Sequence, residues 1–447
     1  MEAEGPSAPP VVAVVVTCDA GPWLEEALAA LRDQDYPALS VLVIDDASDT
    51  DVTARVAAIL PTAFVRRENE RRGYAPTANA VLGLVEGAAF FLLCHDDVAP
   101  EPDSLRIMVE EAFRSNAGIV GPKLVEWVEP DRILQVGMSI DKGGNPSSPV
   151  EPGELDQEQH DAVRDVFAVG GGCVLIRTDL FEALGGFNPA LQLYGEDVDL
   201  CWRAQVAGAR VVVAPGARVR HLEALTSGLR RTGAVSHDPL SVRDELRPLQ
   251  LRHRLRAVLT NYSRFHLARV LPQLLLLSLI EIAFSLVTGR TATAAAVAGA
   301  WTWNVRHLGE IRASRKRLRG QRRVPDSEVR RLQVRGSARV TAFARGSAVS
   351  GRTRSLAEAG RDLATSFRDN RLLLAGWSAL ILLLVVGTRN LIGGRIPAVG
   401  QLQSFPSVGS FLSRFFSGWR DGGLGGASPA PAAYALLGGA GTLLLGA

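Results

Sequence analysis

Paired cysteines are missing from this sequence: Cys18, Cys94, Cys173 and Cys201 lie far apart among apolar neighbours, and no Cys-x-x-Cys spacing occurs. Isolated cysteines of that kind read as small buried hydrophobes in a reducing compartment rather than as a disulfide framework. A signal peptide is missing too, since residues 1–10 are acidic and proline-rich and carry no basic flank. They read as a disordered lead-in to a domain that stays in the cytoplasm. The first strand-to-helix turn has no Gly-x-Gly-x-x-Gly, and Gly-x-x-x-x-Gly-Lys occurs nowhere, which excludes the usual dinucleotide site and the P-loop. Any phosphate bound here must be neutralised by something other than a glycine nest.

What is present divides sharply. Residues 1–250 carry 21 basic and 39 acidic side chains, a net of −18, whereas residues 251–447 carry 28 and 8, a net of +20. An acidic half with mixed periodicities reads as a soluble domain, and a basic half interrupted by apolar runs reads as membrane-attached.

The acidic half alternates strands and helices. Val11–Val16 is a β-branched run ending at Thr17, Trp23–Arg32 has helical spacing, and Val41–Ile44 is a second apolar run ending in Asp45 and Asp46. A helix over 52–60, a short strand over 64–66, a helix over 77–86 and a strand from Phe90 complete the first series. The predicted architecture is α/β, a doubly wound sheet whose crevice takes a nucleotide-like ligand. The strand from Phe90 ends abruptly in His95, Asp96 and Asp97. Two acids there either cap a turn or hold Mg²⁺ or Mn²⁺ against a diphosphate; Arg71 and Arg72 are candidate phosphate partners.

Further on, a helix is expected over 104–115, a strand over 118–124, an irregular polar region over 129–158, and an apolar run over 167–176 containing Gly170, Gly171 and Gly172. Those glycines allow either close approach of a ligand or tight packing. Glu196, Asp197 and Asp199 open a helix, where acids are also favoured by the helix dipole. Strands over 210–214 and 217–220 lead to His221, which is either structural or a further metal ligand.

Taken in order, Thr17, Asp45, the stretch from Asn69 through Gly73 to Asn79, His95-Asp96-Asp97, the Gly-Gly-Phe-Asn turn at 185–188, Glu196-Asp197 and His221 resemble the family 2 glycosyltransferases. The match spans roughly residues 10–225 and looks closest to the actinobacterial rhamnosyl- and galactofuranosyltransferases of cell-envelope glycan assembly. The resemblance implies a GT-A catalytic domain over 11–237, a nucleotide-diphosphate-sugar donor and inversion at the anomeric carbon. It implies that Thr17, Asp45, Gly73, Asn79 and Asp96 contact the donor, beside the candidate phosphate partner Arg72, that Asp97 and His221 hold a divalent metal (Mn²⁺ or Mg²⁺), and that Asp197 is the general base. His95 stands where the family's Asp-x-Asp element has its first Asp. No Gln-x-x-Arg-Trp follows Asp197, which disfavours a processive polysaccharide synthase. A catalytically inactive nucleotide-sugar-binding module that regulates a membrane partner is the other alternative.

In the basic half, residues 238–264 read as a polar linker. Residues 265–303 hold two apolar pieces, either a membrane hairpin, a re-entrant or interfacial pair, or a soluble helical core. The arginine-loaded segment 304–370 belongs on the cytoplasmic side by the positive-inside rule. It lacks interleaved aromatics, so anionic lipid rather than nucleic acid is its expected partner. Residues 371–389 read as a transmembrane helix, 390–430 as an exoplasmic loop and 431–447 as the start of a further, truncated transmembrane helix. The expectation is thus a plasma-membrane enzyme with a cytoplasmic catalytic domain, an α-helical membrane region and a lipid-linked glycan acceptor.

Overall fold

The computed structural model describes residues 8–230 and 239–334, together with positions 382, 419–420 and 426–427. The chain forms two compact units, residues 1–369 and 370–447. Expectations for 335–370, 371–389, 390–430 and 431–447 lie outside the described residues, apart from one antiparallel pairing of Trp419–Arg420 with Gly426–Ala427.

The first unit is built on a mixed sheet. Strands β1 (Val11–Thr17), β2 (Leu39–Asp45) and β4 (Phe90–His95) pair in parallel with β1 central, and β3 (Phe64–Arg67) adds a parallel edge. On the other side of β4 lies β11 (Cys173–Arg177), antiparallel, then β6 (Ala117–Glu126) and β12 (Arg210–His221), which pair in parallel. The β-branched runs are continuous because both faces of the sheet are covered. Val14, Val16, Leu42, Ile44, Phe91 and Leu93 enter one core, and Ala13, Val15, Val41, Val43, Leu92 and Cys94 the other. Helices α1 (Trp23–Arg32), α2 (Thr53–Ile59) and α4 (Ser104–Arg114) cover the second core; α3 (Tyr74–Ala78), α5 (Thr178–Leu184) and α6 (Glu196–Val206) cover the first.

Four segments differ from the sequence reading. The helix expected over 77–86 is the short α3 followed by a 3-10 turn over Asn79–Gly83. It starts earlier because Pro76 is tolerated in a first turn, and at its end Asn79 is bonded to Phe187. The polar region 129–158 contains β7 (Ile133–Val136), antiparallel to β6, and a small hairpin of β8 (Ser139–Ile140) with β9 (Pro146–Ser147). The two strands before His221 are one, β12, with a ladder irregularity between Ala214 and Arg218. Residues 239–261 form a helix, α7 (Pro239–Asn261), where a linker was expected. Val258 and Tyr262 enter the core, and Tyr262 meets Trp202 edge-on at 4.7 Å. Buried polar partners hid α7 in the sequence, since its polar side chains serve other elements instead of water.

Helix α8 (Arg264–Val287) is, among the described residues, the one long and apolar enough to cross a membrane, with mean hydropathy 2.1. His266, Val270 and Ser285 are buried, while Leu275, Leu276, Leu277, Leu279, Ile280 and Phe284 are exposed. A turn at Gly289 leads to α9 (Thr291–Arg306), whose Ala296, Val297 and Ala300 pack on Leu251 of α7. The chain then returns through α10 (Leu308–Gln321) and α11 (Asp326–Val329) to the domain built on the mixed sheet. Leu318 and Val329 join its core, the amides of Arg323 and Val324 donate to the Val206 carbonyl at 2.9 and 3.1 Å, and Val334 donates to Ile140 at 3.0 Å. The first part of the basic segment is therefore docked protein rather than a free loop.

Candidate active site

The parallel strands deliver Thr17, Asp45 and Asp96 to one sheet edge, with Thr17 in register with Asp45 and Val16 with His95. The Thr17 hydroxyl donates to Asp96 Oδ2 at 2.7 Å. Asp96 also pairs with the Arg230 guanidinium, which donates to Cys18 O at 2.7 Å and lies over the Trp23 ring at 5.6 Å. Arg230 follows β12 in sequence, and nothing in its local pattern marks it. Asp45 accepts from the Ser48 amide at 3.0 Å and lies 3.7 Å from Arg67, and its Oδ2 has no hydrogen-bond partner among the described residues.

Asp46 organises the next turn. It accepts from the amides of Arg72 (2.8 Å) and Gly73 (2.9 Å) and from the Thr77 hydroxyl (2.7 Å). Gly73 has φ +85°, and a Cβ there would meet Gln192 O at 2.8 Å, so only glycine fits. The Arg72 side chain is half exposed. Asn79 uses both ends of its amide on Phe187, accepting from its N–H at 2.7 Å and donating to its C=O at 2.9 Å. Its visible task is to hold the Gly-Gly-Phe-Asn turn.

At the end of β4, Asp97 Oδ2 accepts from the Ala224 amide at 2.8 Å, while Oδ1 lies 3.5 Å from His221 Nε2 and 3.8 Å from His95 Nδ1. One ligand atom from each of His95, Asp97 and His221 falls within 4.8 Å of the others. Asp97 Oδ1 and His95 Nε2 are buried and lack hydrogen-bond partners among the described residues, as expected where a cation belongs. Burial lowers the His95 pKa to about 4, so it is neutral and able to ligate at pH 7. Burial would lower His221 too, but Asp97 raises it; Asp97 itself is held below the carboxylate range by His221 and His95 against burial. These residues fit a divalent cation. His95, read from sequence as a departure from the metal motif, supplies the third candidate ligand.

Helix α6 starts at Gly195, in the left-handed region, and offers Glu196 and Asp197 in its first turn. Asp197 accepts from the amides of Val198 (2.7 Å) and Gly171 (3.2 Å), yet burial outweighs these and raises its pKa. Burial and then the Asp197 charge push Glu196 up to about 8. The glycine run is a matter of space: a Cβ on Gly171 would touch Asp197 at 3.4 Å, and one on Gly172 would press on His221 at 3.1 Å. Asp199 serves the fold, pairing with Arg203 at 2.7 Å and accepting from Asn261 of α7 at 2.9 Å.

A cavity of about 870 Å³ is lined by His95, His221, Gly170–Gly172, Glu196 and Asp197 on one side and by Arg247, Gln250 and Arg254 of α7 on the other. Thr17, Asp45, Gly73 and Asp96 are not on its lining. Two sub-sites therefore meet at the histidines, one at the strand ends and one under α7.

Residues 9–232 match the family described as "Glycosyltransferase like family 2". The chain belongs to that family, and its catalytic domain has the GT-A fold. It is 30% identical over 243 residues to the N-acetylglucosaminyl-diphospho-decaprenol L-rhamnosyltransferase of Mycobacterium tuberculosis, covering 49% of this chain and 77% of that protein. To the pre-mycofactocin glycosyltransferase of the same species it is 28% identical, covering 48% and 43%. Among solved structures it is similar to GalNAc-T7 in complex with UDP, GalNAc and Mn²⁺, at TM-score 0.43 and 17% identity, covering 54% of this chain and 48% of that one.

Proposed function

We propose that this protein is a membrane-associated, metal-dependent, inverting glycosyltransferase that moves a sugar from a nucleotide-diphosphate donor to a lipid-linked cell-envelope glycan at the cytoplasmic face of the plasma membrane. The observation that carries this reading is that Asp197, a half-buried carboxylate, lines the same cavity as the two histidines that flank Asp97. Thr17, Asp45, Arg72, Gly73 and Asp96 bind the nucleotide side of the donor, with Asp45 Oδ2 accepting from the base. Asn79 supports them through the 185–188 turn. His95, Asp97 and His221 hold the cation, and two imidazoles favour Mn²⁺ over Mg²⁺. When bound, that cation supplies charge stabilisation to the leaving diphosphate.

Asp197 accepts the proton of the acceptor hydroxyl as its oxygen attacks the anomeric carbon from the face opposite the diphosphate. Its two backbone amide bonds fix the carboxylate's orientation, and the raised pKa makes it a stronger base than an exposed aspartate. One displacement inverts the centre and needs no nucleophilic carboxylate. The relative that acts on diphospho-decaprenol supports a lipid-linked acceptor, and the exposed apolar face of α8 supports a membrane location.

The test is transfer and donor hydrolysis by the purified full chain with a panel of uridine, deoxythymidine and guanosine diphosphate sugars, with and without Mn²⁺. Metal-dependent turnover of one donor is expected. Absence of hydrolysis, transfer and metal-dependent nucleotide binding would leave the inactive binding module in its place.

A further inference from the structure

Helix α7 presents one face to the cavity: Arg247, Gln250, Arg254 and Ala257, at helical spacing. The rest of the lining carries Glu196, Asp197 and, two residues after His221, Glu223. The cavity's charges are thus divided by element, the arginines coming from α7 and the acids from α6 and the segment after β12. A neutral sugar hydroxyl suits the acids, and an anion suits the arginines. Arg254 also lines a second, smaller hollow together with Leu251 of α7, Leu274 and Ser278 of α8, and Val297 and Trp301 of α9. Arg247 reaches α8 as well, pairing with Glu281 at 3.3 Å, and Glu281 is the one acid within the long apolar helix. Arg254 is held by Asn145 of the β8–β9 hairpin.

We infer that Arg247 and Arg254 form the phosphate-binding subsite for a phosphate-bearing lipid acceptor, whose sugar lies at Asp197 and whose hydrocarbon chain runs onto α8. This rests on the reading of the cavity as the acceptor side of a transferase. Three groups in the order carboxylate, cations, apolar helix match a ligand in the order sugar, phosphate, hydrocarbon. The two arginines stand seven residues apart, about 10.5 Å along the axis, and long guanidinium side chains converge readily on an anion between them. Glu281 then acts as a resident counter-ion that the phosphate displaces. The outward leucines of α8 continue the path into a bilayer without requiring the helix to cross it.

The experiment uses the full chain in detergent, without donor or metal, and measures binding of farnesyl diphosphate and, separately, inorganic pyrophosphate by calorimetry. Farnesyl diphosphate should bind at least about tenfold more tightly than pyrophosphate. The double variant R247Q/R254Q should lose at least about tenfold in that affinity, R247K/R254K should retain most of it, and E281Q should tighten it. Unchanged melting temperatures exclude misfolding as the cause. Equal affinity for pyrophosphate overturns the lipid assignment, and an R247Q/R254Q protein that binds as well as wild type overturns the subsite. UDP binding with Mn²⁺ and donor hydrolysis are read on the same samples. Failure of those alone removes the transferase reading while the lipid subsite stands, and their success with no arginine dependence removes only the subsite.

Discussion

Asp197 is oriented by two amides, one on each carboxylate oxygen, so exchanging it for Asn keeps its size but removes the proton acceptor and one of those two bonds. Asp197→Asn is expected to lower transfer by about 10²–10⁴-fold while donor affinity, measured by nucleotide titration, stays within about twofold of wild type. Next to it, Glu196 has a folded pKa of about 8, well above that of an unfolded glutamate. The folded state thus binds more protons between those values, and stability contributed by this residue falls as pH rises from about 4.5 towards 8. Glu196→Gln should flatten that fall, giving a melting temperature above wild type at pH 8 and little changed at pH 5. His95 was legible in the sequence only as an anomaly. It stands beside Asp97 and His221, and replacing it as a ligand of the proposed cation, by His95→Ala, is expected to weaken Mn²⁺ binding by about 10-fold or more, read by metal titration.

Elements explain what single residues leave open. The strand-end acids were legible because continuous apolar runs broke off at Asp45 and at His95-Asp96. The turn at Gly73 was only half legible: its motif was visible, but the partner that requires glycine, Gln192, is more than a hundred residues away. Helix α7 was read as linker because its polar side chains looked like solvent-facing ones. In the folded chain Asn261 donates to the buried Asp199, tying α7 to the catalytic helix α6. Asn261→Ala removes that donor and should destabilise the first unit by about 1–3 kcal/mol, measured by urea unfolding with unchanged slope.

At the scale of the whole molecule, the catalytic domain and the helices after it form a single unit up to residue 369. Both the start of α8 and the chain beyond α9 are tied to the catalytic domain, so the apolar pair begins and ends on one side. With 16 residues, α9 is about 24 Å long, short of the roughly 30 Å hydrocarbon core. On the proposed membrane location, the pair reads as a helix whose outer face dips into the bilayer. The full chain is expected to float with vesicles containing anionic lipid, and replacing Leu276, Leu279 and Ile280 of α8 by Ser should release it, read by flotation, with donor hydrolysis retained.

The sequence by itself determined the alternating α/β order, the strand-end carboxylates and the apolar character of α8, because backbone periodicity and breaks in hydrophobic runs are local properties. Only the tertiary structure decided that His95 lies beside Asp97 and His221, that Asn79 braces a turn, that Arg230 covers Asp96, and that α7 lines the cavity with two arginines. Each of those depends on a partner far along the chain, and the choice of partner is made by packing, to which no window of sequence has access.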